Sequence, residues 1–146
     1  MAWGVGVPIT ETRVPITVED DIVVSRQRAR EVARQLGFGA VDQSRIATAV
    51  SELARNVVRY ATDGRGAVVI RGLDPASTAG ARKGIEIVVS DDGPGIADID
   101  QALRDGFTSG AGMGMGLPGT RRLMDEMTVD SAVGRGTIVT IRKWRR

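Results

Sequence analysis

The sequence contains no cysteine and no histidine. The absence of cysteine excludes disulfide bonds and thiolate chemistry. The absence of histidine excludes Ser-His and Cys-His catalysis, histidine-ligated zinc sites and a phosphate-accepting histidine. The protein therefore cannot use cysteine or histidine for catalysis, metal binding or phosphate transfer.

Aromatic residues, charge of one sign and long apolar runs are also scarce. Aromatics make up 3% of the chain and the formal net charge is +2, which does not suit base stacking or a nucleic-acid surface. The basic segment IRKWRR, residues 141–146, is interpreted as a solvated chain end. No apolar run approaches the roughly 20 residues of a membrane span, and residues 1–12 do not form a signal peptide. We therefore expect a cytoplasmic protein that binds neither nucleic acid nor membranes.

What the sequence does contain is typical of one globular domain. Apolar residues make up 42% and charged residues 26% of 146 positions, so a single domain over residues 1–146 is expected, with residues 1–10 as a candidate disordered extension. Glycine is concentrated in GAGMGMGLPG, residues 110–119, where it fills five of ten positions. Such a run is costly to order, so it is either a loop without fixed shape or one that closes around a ligand.

Hydrophobic periodicity predicts the order of the elements. Two apolar stripes predict helices over residues 18–39, with Gly37 as C-cap, and over residues 41–61, with Asp42 as N-cap. The remaining predictions are a short helix over 98–106, a helix over 117–127 and strands over 12–17, 67–73, 85–90, 128–133 and 137–144. Strands in adjacent pairs with helices between them predict an α+β two-layer sandwich, with a mixed sheet and helices on one face.

Glu52 and Asn56 are the first candidate functional pair. One helical turn apart, they lie together on the flank of the apolar stripe of the second helix. Two oxygen ligands in this arrangement suit Mg²⁺, which takes few protein ligands. For this pair alone, a solvated position on an exposed face remains the favoured alternative.

A second candidate lies in IEIVVSDDGPGI, where a buried strand runs into Asp91 and Asp92. A carboxylate at a strand end followed by Gly93 and Gly95 can accept a hydrogen bond from a ligand, for example from the exocyclic amine of adenine. A simple β-turn explains the same residues equally well.

The glycine-rich run is the third candidate. GMGLPG, residues 114–119, matches G-x-G-x-x-G, but no apolar strand precedes it, so a dinucleotide-binding fold is rejected. No P-loop motif is present either. A glycine loop that leads into a helix N-terminus can bind phosphate through backbone amides and the helix dipole. A flexible linker is less favoured, because the glycines stop where the helix starts.

Four stretches in this order resemble the motifs of the GHKL ATPase superfamily. SELARN resembles its N box, DDGPG its D-x-G-x-G motif, GAGMGMGL its second glycine box and GRGT its final G-x-G-T. The longer stretches EVARQLGFGAVDQSRIATAVSELARN and DGFTSGAGMGMGLPGTRRLMDEM are similar to the RsbT-type serine/threonine switch kinases of bacterial stressosomes, relatives of the anti-sigma-factor kinases. The resemblance covers nearly the whole chain.

The resemblance implies a Bergerat fold that binds ATP and Mg²⁺. It implies phosphate transfer to STAS-domain partner proteins and, once released from them, activation of a PP2C-type phosphatase. By position, Asn56 would hold Mg²⁺, Glu52 would be the catalytic base and Asp91 would accept the adenine amine, helped by Thr137 through a water. The other nucleotide-binding positions implied are Gly93, Gly95, Gly110, Gly112, Gly114, Met115, Gly116 and Leu117.

The sequence departs from related kinases at two places. The lid segment FTSGAG lacks the usual arginine, for which Arg104 and Arg121 are the nearest candidates, and Tyr60 lies where a histidine is usual near the end of the N-box helix. An anti-sigma factor, or a module that binds ATP and acts by docking, is the main alternative function. A topoisomerase-type ATPase and a histidine kinase are less favoured, because the transducer domain and the accepting histidine are absent.

Overall fold

Three helices lie on one face of a five-stranded sheet in the part of the chain that the structure describes. A computed structural model describes residues 11–60, 65–73, 82–93 and 116–146. The elements in chain order are β1 (Glu11–Ile16), α1 (Glu19–Gln35), α2 (Ala40–Tyr60), β2 (Gly66–Leu73), β3 (Gly84–Asp91), α3 (Gly116–Leu123), β4 (Glu126–Ala132) and β5 (Gly136–Trp144). The predicted α+β two-layer sandwich is confirmed. The predicted helix over 98–106 lies outside the described residues.

The sheet is antiparallel and not mixed, which corrects the sequence prediction. Its strand order is β1-β2-β3-β5-β4, and all four neighbouring pairs among the described strands run antiparallel. α1 and α2 lie between β1 and β2 in the chain, and β2 runs antiparallel to β1. β3 and β4 run in the same direction, but β5 lies between them and pairs with both.

The end of α1 follows the local sequence signal. Gly37 has a φ of 90°, and its amide donates to the carbonyl of Arg34 at 3.0 Å while the amide of Phe38 donates to that of Ala33 at 3.0 Å. These two bonds form a Schellman motif, which requires the left-handed conformation that glycine adopts most readily. The C-cap itself is Leu36, so the predicted C-cap Gly37 lies one position later, as the left-handed residue that ends the helix.

The start of α2 differs from the prediction. The helix begins at Ala40, so Asp42 lies inside its first turn and is not the N-cap. The carbonyl of Gly39 accepts the first helical bond, from the amide of Gln43 at 2.9 Å. The carboxylate of Asp42 instead lies 3.1 Å from the Arg45 guanidinium and 3.8 Å from the Lys143 ammonium.

α3 is shorter than predicted. It ends at Leu123, and Glu126 already belongs to β4. The register pairs Met127 with Ile141 of β5, so ladder hydrogen bonds and burial of the Met127 side chain favour strand over helix there. The helical periodicity of LMDEM was therefore misleading at its C-terminal end.

The core lies between the sheet and the two long helices. Alternate residues of the strands point inward, and the apolar stripes of α1 and α2 pack on them. Fully buried members include Ile16, Ile70, Ile85, Ile87 and Ile141 from the sheet and Ala29, Ala33, Ile46, Ala49 and Val50 from the helices. Each fully buried isoleucine or valine stabilises the fold by about 1.5–3 kcal/mol before entropic costs. None of the described helices is both long and apolar enough to cross a bilayer.

Residues 141–144 of the basic C-terminal segment belong to the sheet, so the interpretation of the segment as a solvated chain end is wrong for all but the exposed Arg145 and Arg146. β5 extends to Trp144, and Lys143 is buried. On the outer face of the sheet, opposite charges alternate across all five strands in one row of cross-strand neighbours. The row runs Glu11, Arg71, Glu86, Arg142 and Glu126, with nitrogen–oxygen distances of 2.7–3.2 Å.

The β4–β5 turn contains two glycines in the left-handed region, Gly134 with φ of 82° and Gly136 with φ of 88°. A Cβ at Gly134 would meet nothing within 4 Å, whereas one at Gly136 would overlap the Asp91 carbonyl oxygen. An alanine at Gly134 would therefore cause backbone strain alone, whereas an alanine at Gly136 would cause both backbone strain and steric overlap.

We expect Gly134→Ala to lower the free energy of unfolding by about 1–2 kcal/mol, the cost of a left-handed alanine. Gly136→Ala should cost roughly 1–3 kcal/mol more, because β5 must move away from β3. Urea unfolding of both variants measures the difference. Equal losses would contradict the close approach of β5 to Asp91.

Candidate functional site

Asp91 is the last residue of β3, the central strand of the sheet. Its neighbours in register are Gly66 of β2 and Thr137 of β5. The side chain is half-buried, and its Oδ1 accepts a hydrogen bond from the amide of Gly93 at 2.7 Å. An ionised carboxylate has about four acceptor sites, so this bond leaves capacity for a ligand donor.

Two glycines allow the backbone to pack tightly around Asp91. A Cβ on Gly66 would overlap the side chain of Val57 and lie 2.7 Å from the Ser90 carbonyl oxygen and 3.5 Å from the Asp91 Cβ. Gly136 approaches the Asp91 backbone from the other side. α2 therefore reaches the sheet beside Asp91 at Val57, the residue directly after Asn56.

Burial raises the pKa of the Asp91 carboxyl above its ordinary value. The negative charge of Asp92 also raises this pKa, while hydrogen bonds from the backbone of Gly93 and Thr137 lower it. A carboxylate held in partly desolvated surroundings gains more from a ligand hydrogen bond than an exposed one.

Asp92 and Arg65 form a second contact between the ends of β2 and β3, which the sequence did not indicate. The Asp92 amide donates to the Arg65 carbonyl at 3.2 Å, and the Arg65 guanidinium lies 3.1 Å from Asp92 Oδ2. Asp92 Oδ1 is buried without a hydrogen-bond partner among the described residues. The residues are 27 positions apart, so only the strand register brings them together.

Glu52 and Asn56 lie where the helical spacing predicted them. Both are partly exposed, at the edge of the buried stripe that contains Leu53 and Val57. Glu52 Oε1 accepts a hydrogen bond from the Arg55 guanidinium at 2.7 Å. The candidate base is therefore held by a neighbouring cation on the same helix.

Thr137 takes part in a hydroxyl pair beside Asp91. Its Oγ1 lies 2.8 Å from the Ser131 Oγ, which also contacts the Gly136 carbonyl at 3.0 Å. Ser131 belongs to β4, the edge strand next to β5, so this pair links the two last strands at the end that faces the site.

The phosphate-binding part of the predicted site is only partly described. Gly95, Gly110, Gly112, Gly114 and Met115 lie outside the described residues. Gly116 is the first residue of α3, as the glycine-loop interpretation requires. The Leu117 side chain is 3% exposed and belongs to the core, so Leu117 has only its backbone to offer a ligand.

The chain matches the model of the histidine kinase-like ATPase domain over residues 14–143. It belongs to the histidine kinase-like ATPase family. It is 49% identical over 133 residues to the serine/threonine-protein kinase RsbT of Bacillus subtilis, and this match covers 91% of the chain and 96% of RsbT. It is also 34% identical over 103 residues to the anti-sigma F factor of Thermoanaerobacter sp. strain X514, with 68% of each protein covered.

The structural comparison agrees with this family. The crystal structure of the RsbU and RsbW domains of a Mycobacterium tuberculosis protein superposes with a TM-score of 0.63 at 20% identity, covering 94% of this chain and 33% of that one. The mycobacterial sensor histidine kinase MprB superposes with a TM-score of 0.55 at 22% identity, covering 92% of this chain and 99% of that one. At these identities the likeness shows a shared fold.

The described residues fit a nucleotide of the kind that this ATPase family binds. Asp91 offers a half-buried acceptor for an amine, and the glycines at positions 66 and 136 shape the backbone around it. Asn56 and Glu52 offer oxygen ligands on the adjoining edge of α2, which is the donor type that Mg²⁺ prefers. The N-terminus of α3 offers amides to phosphate.

We expect Asp91→Asn to lose ATP binding and to gain stability at neutral pH. Because the pKa of Asp91 is raised in the fold, ionisation costs stability as pH rises from the ordinary aspartate value through the raised one. The variant lacks this cost but presents an amide donor to the adenine amine.

Calorimetric titration with ATP and thermal unfolding at about pH 7 and about pH 3 check both effects. The stability gain should vanish at the lower pH, where the wild-type carboxyl is protonated. In the wild type, ATP affinity should fall as the pH is lowered through the raised pKa. Undiminished ATP binding by Asp91→Asn would contradict the role of Asp91.

Proposed function

We propose that this protein is an ATP-dependent serine/threonine protein kinase that phosphorylates STAS-domain partner proteins in a partner-switching stress response. When released from these partners, it activates a PP2C-type phosphatase. The observation that carries the proposal is the 49% identity to RsbT over 96% of that kinase. The half-buried Asp91 carboxylate at the end of β3 supports it.

Three elements provide the proposed contacts to ATP and Mg²⁺. Asp91 at the end of β3 accepts the adenine amine and so orients the base. Asn56 on α2 would hold Mg²⁺, and the first turn of α3 would offer its backbone amides, except at Pro118, to the phosphates. Bound Mg²⁺ supplies charge neutralisation on the phosphates, which together with positioning is most of what phosphoryl transfer requires from a protein.

Glu52 is the proposed base for the acceptor hydroxyl. It lies one turn before Asn56 on the same side of α2, so a hydroxyl that approaches the nucleotide phosphates also approaches the carboxylate. The Arg55 guanidinium at 2.7 Å restricts the rotamers of Glu52. An oriented carboxylate can hold or remove the hydroxyl proton with less loss of side-chain entropy.

An anti-sigma factor or an ATP-regulated docking module is the second candidate function. The similarity to anti-sigma F factors over 68% of the chain favours it. In this case ATP would order the site for docking without transfer of its phosphate. Transfer of labelled phosphate to a partner protein distinguishes the two functions.

We expect Glu52→Gln to reduce phosphotransfer to a STAS-domain partner by about 10²–10⁴-fold, the usual contribution of a general base. ATP affinity should change little, because the proposal assigns the adenine contact to Asp91 and the magnesium contact to Asn56. Transfer of label from γ-labelled ATP and calorimetric titration measure the two quantities.

Glu31→Gln is the matched control. Glu31 forms the same kind of three-residue-spaced pair with an arginine, Arg34 at 2.5 Å, on the exposed face of α1. It should leave transfer within about twofold, the size of a surface ion-pair effect. Normal transfer by Glu52→Gln would remove Glu52 from the mechanism. A wild type that binds ATP but labels no partner would favour the docking module.

A further inference from the structure

Lys143 is a buried cation that the proposed chemistry does not use. It lies on the inner face of β5, and its side chain is 6% exposed. Its Nζ donates a hydrogen bond to the carbonyl of Leu123 at 2.9 Å and lies 3.8 Å from Asp42 Oδ1. Leu123 is the last residue of α3, and Asp42 is in the first turn of α2.

A buried ammonium is costly unless it is paired and hydrogen-bonded. Lys143 meets both conditions by joining two helix ends. It satisfies one of the C-terminal carbonyls that a helix leaves without an internal partner, and its charge complements the negative end of the α3 dipole. One side chain of the sheet therefore contacts both α3 and α2.

The two helices that Lys143 joins are those that carry the proposed phosphate and magnesium contacts. α3 has eight residues, so its first residue, Gly116, lies only about 10–11 Å along the helix axis from Leu123, which Lys143 contacts. Leu117 of α3 and Met124, the residue directly after it, anchor the helix by apolar burial, which is non-directional and allows a short helix to pivot. The Lys143 hydrogen bond is directional and restricts that pivot.

We propose that Lys143 is a positioning residue that sets the orientation of α3 relative to α2. This orientation determines whether the backbone amides of α3 point toward the nucleotide phosphates. This inference rests on the nucleotide-binding part of the proposed function. It does not depend on whether phosphate is then transferred.

The test compares Lys143→Met with Lys83→Met. Lys83 is the only other lysine in the sequence. It lies directly before β3 and does not connect α2 with α3. Calorimetry with ATP and Mg²⁺, and competition with adenosine, measure affinity with and without phosphates. Hydrogen exchange of the α3 amides measures the anchoring directly.

Lys143→Met should weaken ATP binding by about tenfold, the equivalent of one charge-assisted hydrogen bond, and leave adenosine affinity within about twofold. The α3 amides should exchange faster in this variant. Lys83→Met should change none of these. A purely structural role would instead lower thermal stability while the folded protein bound ATP normally, and that result would overturn the proposal. An equal loss for ATP and adenosine would also overturn it.

If Lys143→Met fails to fold, Asp42→Asn and Lys143→Arg take its place. Asp42→Asn keeps the ammonium but removes its charged partner, so it should weaken ATP selectively and by less. Lys143→Arg keeps the charge and should retain more ATP affinity than Asp42→Asn. Unchanged ATP affinity and α3 exchange in Asp42→Asn would overturn the proposal. A wild type that binds ATP without transferring it would contradict only the kinase function.

Discussion

The close approach of four backbone segments around Asp91 is the constraint on which the candidate site depends. α2, β2 and β5 can surround the end of β3 only because Gly66 and Gly136 carry no Cβ. With side chains at these positions, Val57 or the Asp91 carbonyl would have to move, and Asn56 would move with α2. The glycines of the turn and of the β2 start thus determine the distance between the proposed base-binding carboxylate and the proposed magnesium ligand.

The packing around Asp91 lowers stability when this carboxyl is ionised, although the ionised form is the one proposed to bind the ligand. Surrounding Asp91 with protein raises its pKa, so the ionised form that a ligand amine would bind is the form the fold accommodates less well. The adjacent Asp92 adds negative charge, and the exposed Arg65 offsets only part of it because solvent screens that pair. A site whose charged group is destabilised in the free protein has more to gain from a complementary ligand.

Local patterns predicted most of the elements and which of them carry three of the candidate site residues. The helical spacing placed Glu52 and Asn56 on one edge of α2, and the strand-to-glycine transition placed Asp91 at a strand end, as the structure has them. These signals lie within one element each. One error is local, because α2 starts at Ala40 and Gly39 precedes it where Asp42 was predicted as the N-cap. The other came where a second element decides, because pairing with β5 makes Met127 part of a strand instead of a helix.

The basic C-terminal segment shows why the remaining features could not be derived from sequence. Arg142 and Lys143 are consecutive, so their side chains point to opposite faces of β5. On the outer face, Arg142 contacts Glu86 at 2.7 Å and completes a row of alternating charges. On the inner face, Lys143 reaches the end of α3. Glu86 is 56 residues from Arg142 and Leu123 is 20 residues from Lys143, and the strand register that selects these partners is a property of the whole sheet. In the sequence, these cations look like part of a solvated tail. In the fold, one of them, Lys143, connects the last strand to α3, the helix that follows the glycine-rich run.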